Sequence, residues 1–165
     1  TMATNDPEEL LAFCRALDGR VVYKPLAGGA LARRLAKEDL GAERLRLLGA
    51  SPVLFQEEVP GRNIRAYVVD GEVIASYEIV SDELDYRGSE SAVLPEDLQD
   101  EEVAACLRAS EACGMIFTGI DIRRRPDGSF AVLECNPSPM FAAIEARQGT
   151  NTISDALAAA LTKPN

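Results

Sequence analysis

The sequence predicts an α+β fold with two small antiparallel sheets, and three features carry that prediction. Residues 63–69 and 72–79 flank Asp70-Gly71, the residue pair that a type I′ hairpin turn favours. Residues 119–125 and 130–136 are short strand-like runs around Pro126-Asp127-Gly128-Ser129. The segments between and beyond them carry apolar residues at helical spacing. Strands that pair locally in hairpins, separated by helices, give segregated antiparallel sheets rather than one parallel sheet.

Along the chain, Asp6-Pro7-Glu8-Glu9 offers an N-cap, a proline at the first helical position and a glutamate at the third. The helix it opens is predicted to run to about Gly19, with Leu10, Leu11, Cys14 and Leu17 on one face. Residues 21–26 follow as a strand running into Ala27-Gly28-Gly29. A charged amphipathic helix is predicted over 37–48, carrying Leu40, Leu45, Leu47 and Leu48, and another strand over 52–59. After the Asp70-Gly71 hairpin, the polar stretch 81–91 reads as a surface loop separating lobes at 1–80 and 92–165. Leu94-Pro95-Glu96 is expected to open a long helix to about Cys113, closed by Gly114. On that helix Cys106 and Cys113 share a core-facing side with Val103 and Ser110. A last helix covers 153–161, with Asn151 or Thr152 as its N-cap.

Composition narrows the chemistry. A length of 165 residues allows one domain or two small lobes. The net charge of −10 argues against nucleic acid or an anionic membrane as partner. The chain has no histidine, which removes Ser-His-Asp, Cys-His and His-ligated zinc chemistry. Cys14, Cys106, Cys113 and Cys135 show no CxxC spacing and read as reduced, mostly buried thiols. No apolar run reaches the length of a membrane span, so a cytoplasmic protein is expected. The absence of GxxxxGK[ST] excludes a P-loop.

The second hairpin holds the most chemistry. With 126–129 as its loop, Arg125 pairs with Phe130 and Asp121 lies opposite Glu134, while Asn136 shares the face of Glu134. Carboxylates opposed across a ladder repel unless a cation lies between them. Converging oxygens of Asp, Glu and Asn suit Mg²⁺, which usually brings phosphates. The plainer alternatives are a solvated hairpin or a register slipped by one. Lys24 shares its strand face with Val22 and Leu26; it either snorkels to the edge or meets an anion that offsets its burial. Gly28-Gly29 offers a weak loop signal for phosphates. The strand end Phe55-Gln56-Glu57-Glu58-Val59-Pro60-Gly61 either presents backbone to an adenine edge or forms a solvated acidic turn. Arg65, on one face with Tyr67, is an edge-strand solubiliser or a phosphate clamp, and Arg87 lies in the polar loop.

In order, Lys24-Pro25, Phe55-Gln56-Glu57-Glu58-Val59, the Asn63-Ile64-Arg65 strand with its Asp70-Gly71 hairpin, and Asp121…Glu134-Cys135-Asn136 before Pro137-Ser138-Pro139 resemble an ATP-grasp domain over about residues 20–147. The likeness is to ribosomal-protein glutamate ligases and to the ATP-grasp enzymes that macrocyclise microviridin-type peptides. Leu84-Asp85-Tyr86-Arg87 looks more like the latter. The resemblance implies an ATP-grasp core of two lobes, each an antiparallel sheet with helices. It implies Lys24 at the phosphates and adenine, and Glu57, Glu58 and Val59 as the hinge strand at the adenine edge. Asn63 falls where such ligases often carry an acidic ribose-binding residue. Arg65 and Arg87 would meet the transferring phosphoryl group, and Asp121, Glu134 and Asn136 would hold one or two Mg²⁺ ions, with Mn²⁺ as a substitute.

The implied reaction joins a carboxylate of a peptide or small acid to an amine or alcohol through an acyl phosphate, at the expense of ATP. It needs no protein nucleophile, in keeping with a histidine-free chain. The implied partners are ATP and a carboxylate-bearing substrate; a homo-oligomer is left open. Two departures stand out. Such ligases carry an N-terminal domain and a further ATP-site lysine upstream of where this chain begins, so the alternative is a non-catalytic nucleotide-binding or protein-interaction module. Met140 follows Pro139 where relatives often have glycine.

Overall fold

The computed structural model describes residues 1–27, 30–85 and 91–163. Gly28-Gly29 and Arg87 therefore lie outside the described residues. The chain divides into two compact units, Thr1–Val59 with Asp82–Ser89, and Pro60–Ser81 with Glu90–Asn165.

The first unit contains β1 (Met2–Thr4), α1 (Pro7–Ala16), β2 (Val21–Pro25), β3 (Arg33–Arg34), α2 (Ala42–Leu48) and β4 (Val53–Glu57). Its four-stranded sheet has the order β1-β4-β2-β3, with antiparallel neighbours. Helix α1 begins as its capping sequence predicts: the Asp6 carboxylate accepts the Glu8 backbone N–H at 2.8 Å. Leu10 and Cys14 of α1 pack with Val21, Leu48 and Phe55 to form the core. The helix expected over 37–48 is in two pieces, a 3₁₀ turn at Lys37–Leu40 and then α2. Gly41 interrupts them with an extended backbone (φ −67°, ψ 149°), a cheap place to break because glycine is a poor helix former.

The second unit holds β5 (Arg62–Val69), β6 (Glu72–Val80), β7 (Ala92–Pro95), α3 (Asp100–Ala112), β8 (Phe117–Arg124), β9 (Phe130–Asn136), α4 (Ala142–Gln148) and α5 (Thr152–Leu161). Its five-stranded sheet runs β7-β6-β5-β8-β9. Both expected hairpins form, and β5 pairs along its length with β8, so they merge into one sheet. On one face Ile64, Ala66, Val68, Ile120 and Ile122 pack with Cys106 of α3. On the other, Tyr67, Tyr77 and Val93 pack with Ile144 of α4 and Ile153 of α5.

Several expectations are corrected. Residues 92–95 are a strand rather than helix, because the β6 edge is there to pair with, and α3 starts only after Gln99. Cys113 is exposed at the end of α3 instead of sharing the core with Cys106. Helix α4 was not anticipated. The chain passes between units at Val59/Pro60, whereas the sequence placed lobes at 1–80 and 92–165; the β5–β6 hairpin sits with the second sheet because β5 pairs with β8.

The register of the β8–β9 hairpin also differs near its turn. Arg124, not Arg125, pairs with Phe130, and the Arg125 N–H donates to Ser129 O at 2.7 Å within the loop. A β-bulge then leaves Leu133 as an extra residue on β9. It absorbs the one-residue difference, so Asp121 does face Glu134.

Candidate functional site

Three adjacent strands of the second unit bring the polar groups together. Arg65 on β5 is the register partner of Asp121 on β8, which in turn faces Glu134 on β9. In the next row Tyr67, Gly119 and Asn136 are partners. Alternation along each strand puts both rows on the sheet face opposite the Ile64/Ile120/Cys106 core.

Arg65 is buried, with 8% of its surface exposed. Its Nε donates to Asp121 Oδ1 and its Nη2 to Asp121 Oδ2, the latter at 2.8 Å. This two-pronged pair supplies the counter-charge that a buried guanidinium requires. Glu134 is exposed. Asn136 Oδ1 accepts the Ser138 N–H at 2.9 Å, which leaves an amide oxygen with a second lone pair for a cation. Among the described residues, no group of three or more His, Cys, Asp or Glu side chains is arranged to hold a metal. The donor set is instead two carboxylates and an amide oxygen. That set fits Mg²⁺, which is commonly held by one or two carboxylates while water and phosphate oxygens complete its octahedron.

Residues that the sequence reading did not single out hold this arrangement in place. A Cβ on Gly119 would lie 2.6 Å from Pro139 Cβ and 3.2 Å from Arg65 Cδ. Glycine is therefore what lets Pro139 and the Arg65 stem pack over β8. Tyr67, with no exposed surface, donates its hydroxyl to Met140 O at 2.7 Å. Burial pushes its phenol above the ordinary value, against the opposing pull of the Arg65 guanidinium. Thr118 Oγ1 donates to Asn136 O at 2.9 Å. Together these bonds fix the main chain from Asn136 to Met140. The only signal for them in the sequence was that Tyr67 shares the Arg65 face; the Pro139 contact comes from a distant segment folding back.

Asn63 lies on β5 two residues before Arg65 and on the same face, opposite Ile79 of β6 and Arg123 of β8. Lys24, Glu57, Glu58 and Val59 belong to the first unit. Lys24 is half-buried on β2 opposite Leu54, on the face of Val22 rather than that of Val21 and Tyr23, which pack with Phe55. Leu26, expected to flank it as an inward neighbour, is 52% exposed just past the strand end. Glu57 closes β4 opposite Val21. The Glu58 N–H donates to Arg20 O at 3.0 Å, and its carboxylate accepts Arg34 Nε at 2.8 Å. Val59 is buried.

Residues 49–161 match the family model described as a RimK-like ATP-grasp domain. The chain is similar to a probable alpha-L-glutamate ligase of Klebsiella pneumoniae (strain 342), with 33% identity over 114 residues, covering 64% of this chain and 37% of that protein. It is similar to the solved ATP-grasp ligase PsnB complexed with a phosphomimetic variant of its minimal precursor, Mg and ADP, at 39% identity and a TM-score of 0.85 over 97% of this chain and 51% of that one. It is also similar to the macrocyclase MdnC bound with precursor peptide MdnA from Microcystis aeruginosa MRC, at 25% identity and a TM-score of 0.81 over 99% of this chain and 55% of that one. The chain spans about half or less of the length of these proteins. The α+β architecture, the two antiparallel sheets and a family match over more than half of the residues lead to one conclusion: the chain belongs to the RimK-like ATP-grasp domain family.

Proposed function

We propose that this chain carries the nucleotide and metal site of an ATP- and Mg²⁺-dependent ligase that joins a carboxylate to an amine or alcohol. The observation that carries the reading is Asp121 facing Glu134 across β8–β9, with Arg65 forked onto Asp121 and Asn136 in the next row. Membership of a ligase family supports it. A peptide is the favoured substrate, because PsnB and MdnC were both solved with precursor peptides; a small acid is the simpler variant.

In the first unit, Lys24 takes nucleotide phosphate and adenine, and the backbone of Glu57, Glu58 and Val59 takes the adenine edge. In the second, Asn63 faces the ribose and Asp121, Glu134 and Asn136 hold Mg²⁺, or Mn²⁺ in its place. Bound there, the ion neutralises polyphosphate charge and that of the phosphoryl group in transfer. Arg65 and Arg87 spread the same charge through their guanidinium groups. The substrate carboxylate oxygen attacks the γ-phosphorus, the bond to the ADP oxygen breaks, and an acyl phosphate results. An amine or alcohol then attacks the acyl carbon, phosphate leaves with the electron pair of the C–O bond, and the nucleophile's proton passes to solvent. A cytoplasmic location completes the reading; no helix among the described residues is long and apolar enough to cross a membrane.

Thermal unfolding with and without Mg-ATP tests the site. A ligand that binds only the folded chain adds about 2.7 kcal/mol of stability at a hundredfold excess over its dissociation constant. The parent is expected to show a Mg²⁺-dependent rise in midpoint that Glu134→Gln abolishes. No rise in the parent would withdraw the enzyme. A rise without ADP release on adding carboxylate peptides would leave a nucleotide-binding module instead.

A further inference from the structure

We propose that Arg123 is a positioning residue for the nucleotide: it pins the corner at Gly61 through which the chain leaves the Glu57–Val59 strand end and enters β5. Arg123 lies on β8 two residues after Asp121, on the same face, and opposite Asn63 of β5. It is half-buried, and its Nη1 donates to Gly61 O at 2.8 Å. One side chain therefore joins the strand that carries Asp121 to the residue that precedes β5. Nothing in the sequence pointed to this bond, because Gly61 and Arg123 are distant in the chain.

The corner is built to stay where it is. Gly61 has φ of 130°, and a Cβ there would lie 2.1 Å from Arg124 O and 2.7 Å from Arg124 C. Its α-carbon rests on the β8 backbone, an approach that only glycine allows. Pro60, before it, fixes its own φ. Arg62, after it, pairs with Glu78 through Nη1 at 2.6 Å and with Glu96 through Nη2 at 3.0 Å. Glu96 also accepts Arg124 Nη1. The Arg123 bond completes this set by holding the Gly61 carbonyl.

Val59 is two residues before Gly61, so the backbone proposed for the adenine edge runs directly into the pinned corner. Anchoring that corner in advance lowers the ordering cost of binding, since less backbone freedom is lost when adenine pairs with the strand end. A nucleotide depends on this because its adenine and its phosphates engage different segments. Inorganic triphosphate has no adenine and does not. The role rests on the nucleotide reading above; the Arg123–Gly61 bond does not.

The test is isothermal titration of the whole chain with Mg-ATP and with Mg-tripolyphosphate, on the parent, Arg123→Met and Arg123→Lys. Arg123→Met keeps an apolar stem but no donor. It should bind Mg-ATP roughly three- to tenfold more weakly, the size of one hydrogen bond's net contribution, and Mg-tripolyphosphate as the parent does. Arg123→Lys still offers a donor to Gly61 O and should recover most of the loss. Urea midpoints of the three proteins should agree. Unchanged Mg-ATP affinity in Arg123→Met would overturn the role. Equal losses for both ligands would also overturn it, making Arg123 a phosphate contact instead. A Lys variant as weak as the Met variant, or a loss matched by a lower urea midpoint, would overturn it in favour of a purely structural bond. A parent that does not bind Mg-ATP would count against the nucleotide reading itself and remove this role with it.

Discussion

Glu102 is fully buried and still serves as an ion. Its carboxylate accepts Arg124 Nε at 2.7 Å, Arg124 Nη2 at 2.5 Å and the Gln99 N–H at 2.9 Å. Burial alone would raise its pKa, but the Arg124 and Gln99 hydrogen bonds outweigh it and hold the carboxyl below the ordinary value of 4.5. A depressed folded-state pKa gives stability that is present above the unfolded value and lost as pH falls through the folded one. Glu102→Ala takes two hydrogen bonds from buried Arg124, which keeps Glu96 and the Asp97 carbonyl as partners, and should cost about 1–3 kcal/mol in urea unfolding at neutral pH. Glu102→Gln should flatten the loss of stability below pH 4.5; an unchanged acid limb would show that this carboxylate does not drive it. Gly119→Ala tests packing rather than charge. Its added methyl meets Pro139 Cβ at 2.6 Å, so about 1–3 kcal/mol should be lost, with a smaller Mg-ATP shift because Pro139 and Arg65 must move. A full Mg-ATP shift in that variant would mean that Pro139 is not supporting the site.

Elements whose signals are local were readable, and those that depend on a partner were not. The Asp6 cap and the Asp70-Gly71 turn act through their own backbone, and both form as expected. Asp70 and Gly71 have φ of 50° and 80°, the left-handed pair a type I′ turn needs. Nothing lies within 4 Å of a Cβ built on Gly71. Gly71→Ala should therefore cost only backbone strain, about 1–2 kcal/mol, measured as a lower urea midpoint with an unchanged slope. A larger loss would mean that the turn contributes more than its own conformation. Residues 92–95, by contrast, are a strand because β6 offers an unpaired edge, a fact of the sheet and not of Leu94-Pro95. The Asp121/Glu134 pairing was expected from a four-residue loop. It arises from a longer loop and a bulge at Leu133, two deviations whose effects on register cancel.

The two units carry separate cores of different construction. The second unit's sheet is covered on both faces, by α3 and by α4 with α5, while the first gathers its core around Leu10, Val21 and Phe55. Local stability follows buried apolar packing. Hydrogen exchange should therefore be slowest at the β5–β8 ladder and faster at β2–β4; equal protection of the two would contradict this ranking.

The residue types and their order carried the family resemblance and the proposed chemistry: oxygen donors suited to a hard cation, a lysine before proline, an arginine on the strand before the Asp70-Gly71 turn. The α+β class followed as well, because turns, caps and periodicity are written within a few residues of one another. The merging of both hairpins into one sheet, the bulge that sets Asp121 against Glu134 and the burial of Arg65 and Glu102 with their partners came from the fold. Each of these depends on which distant segment occupies the neighbouring position, and no local pattern encodes that.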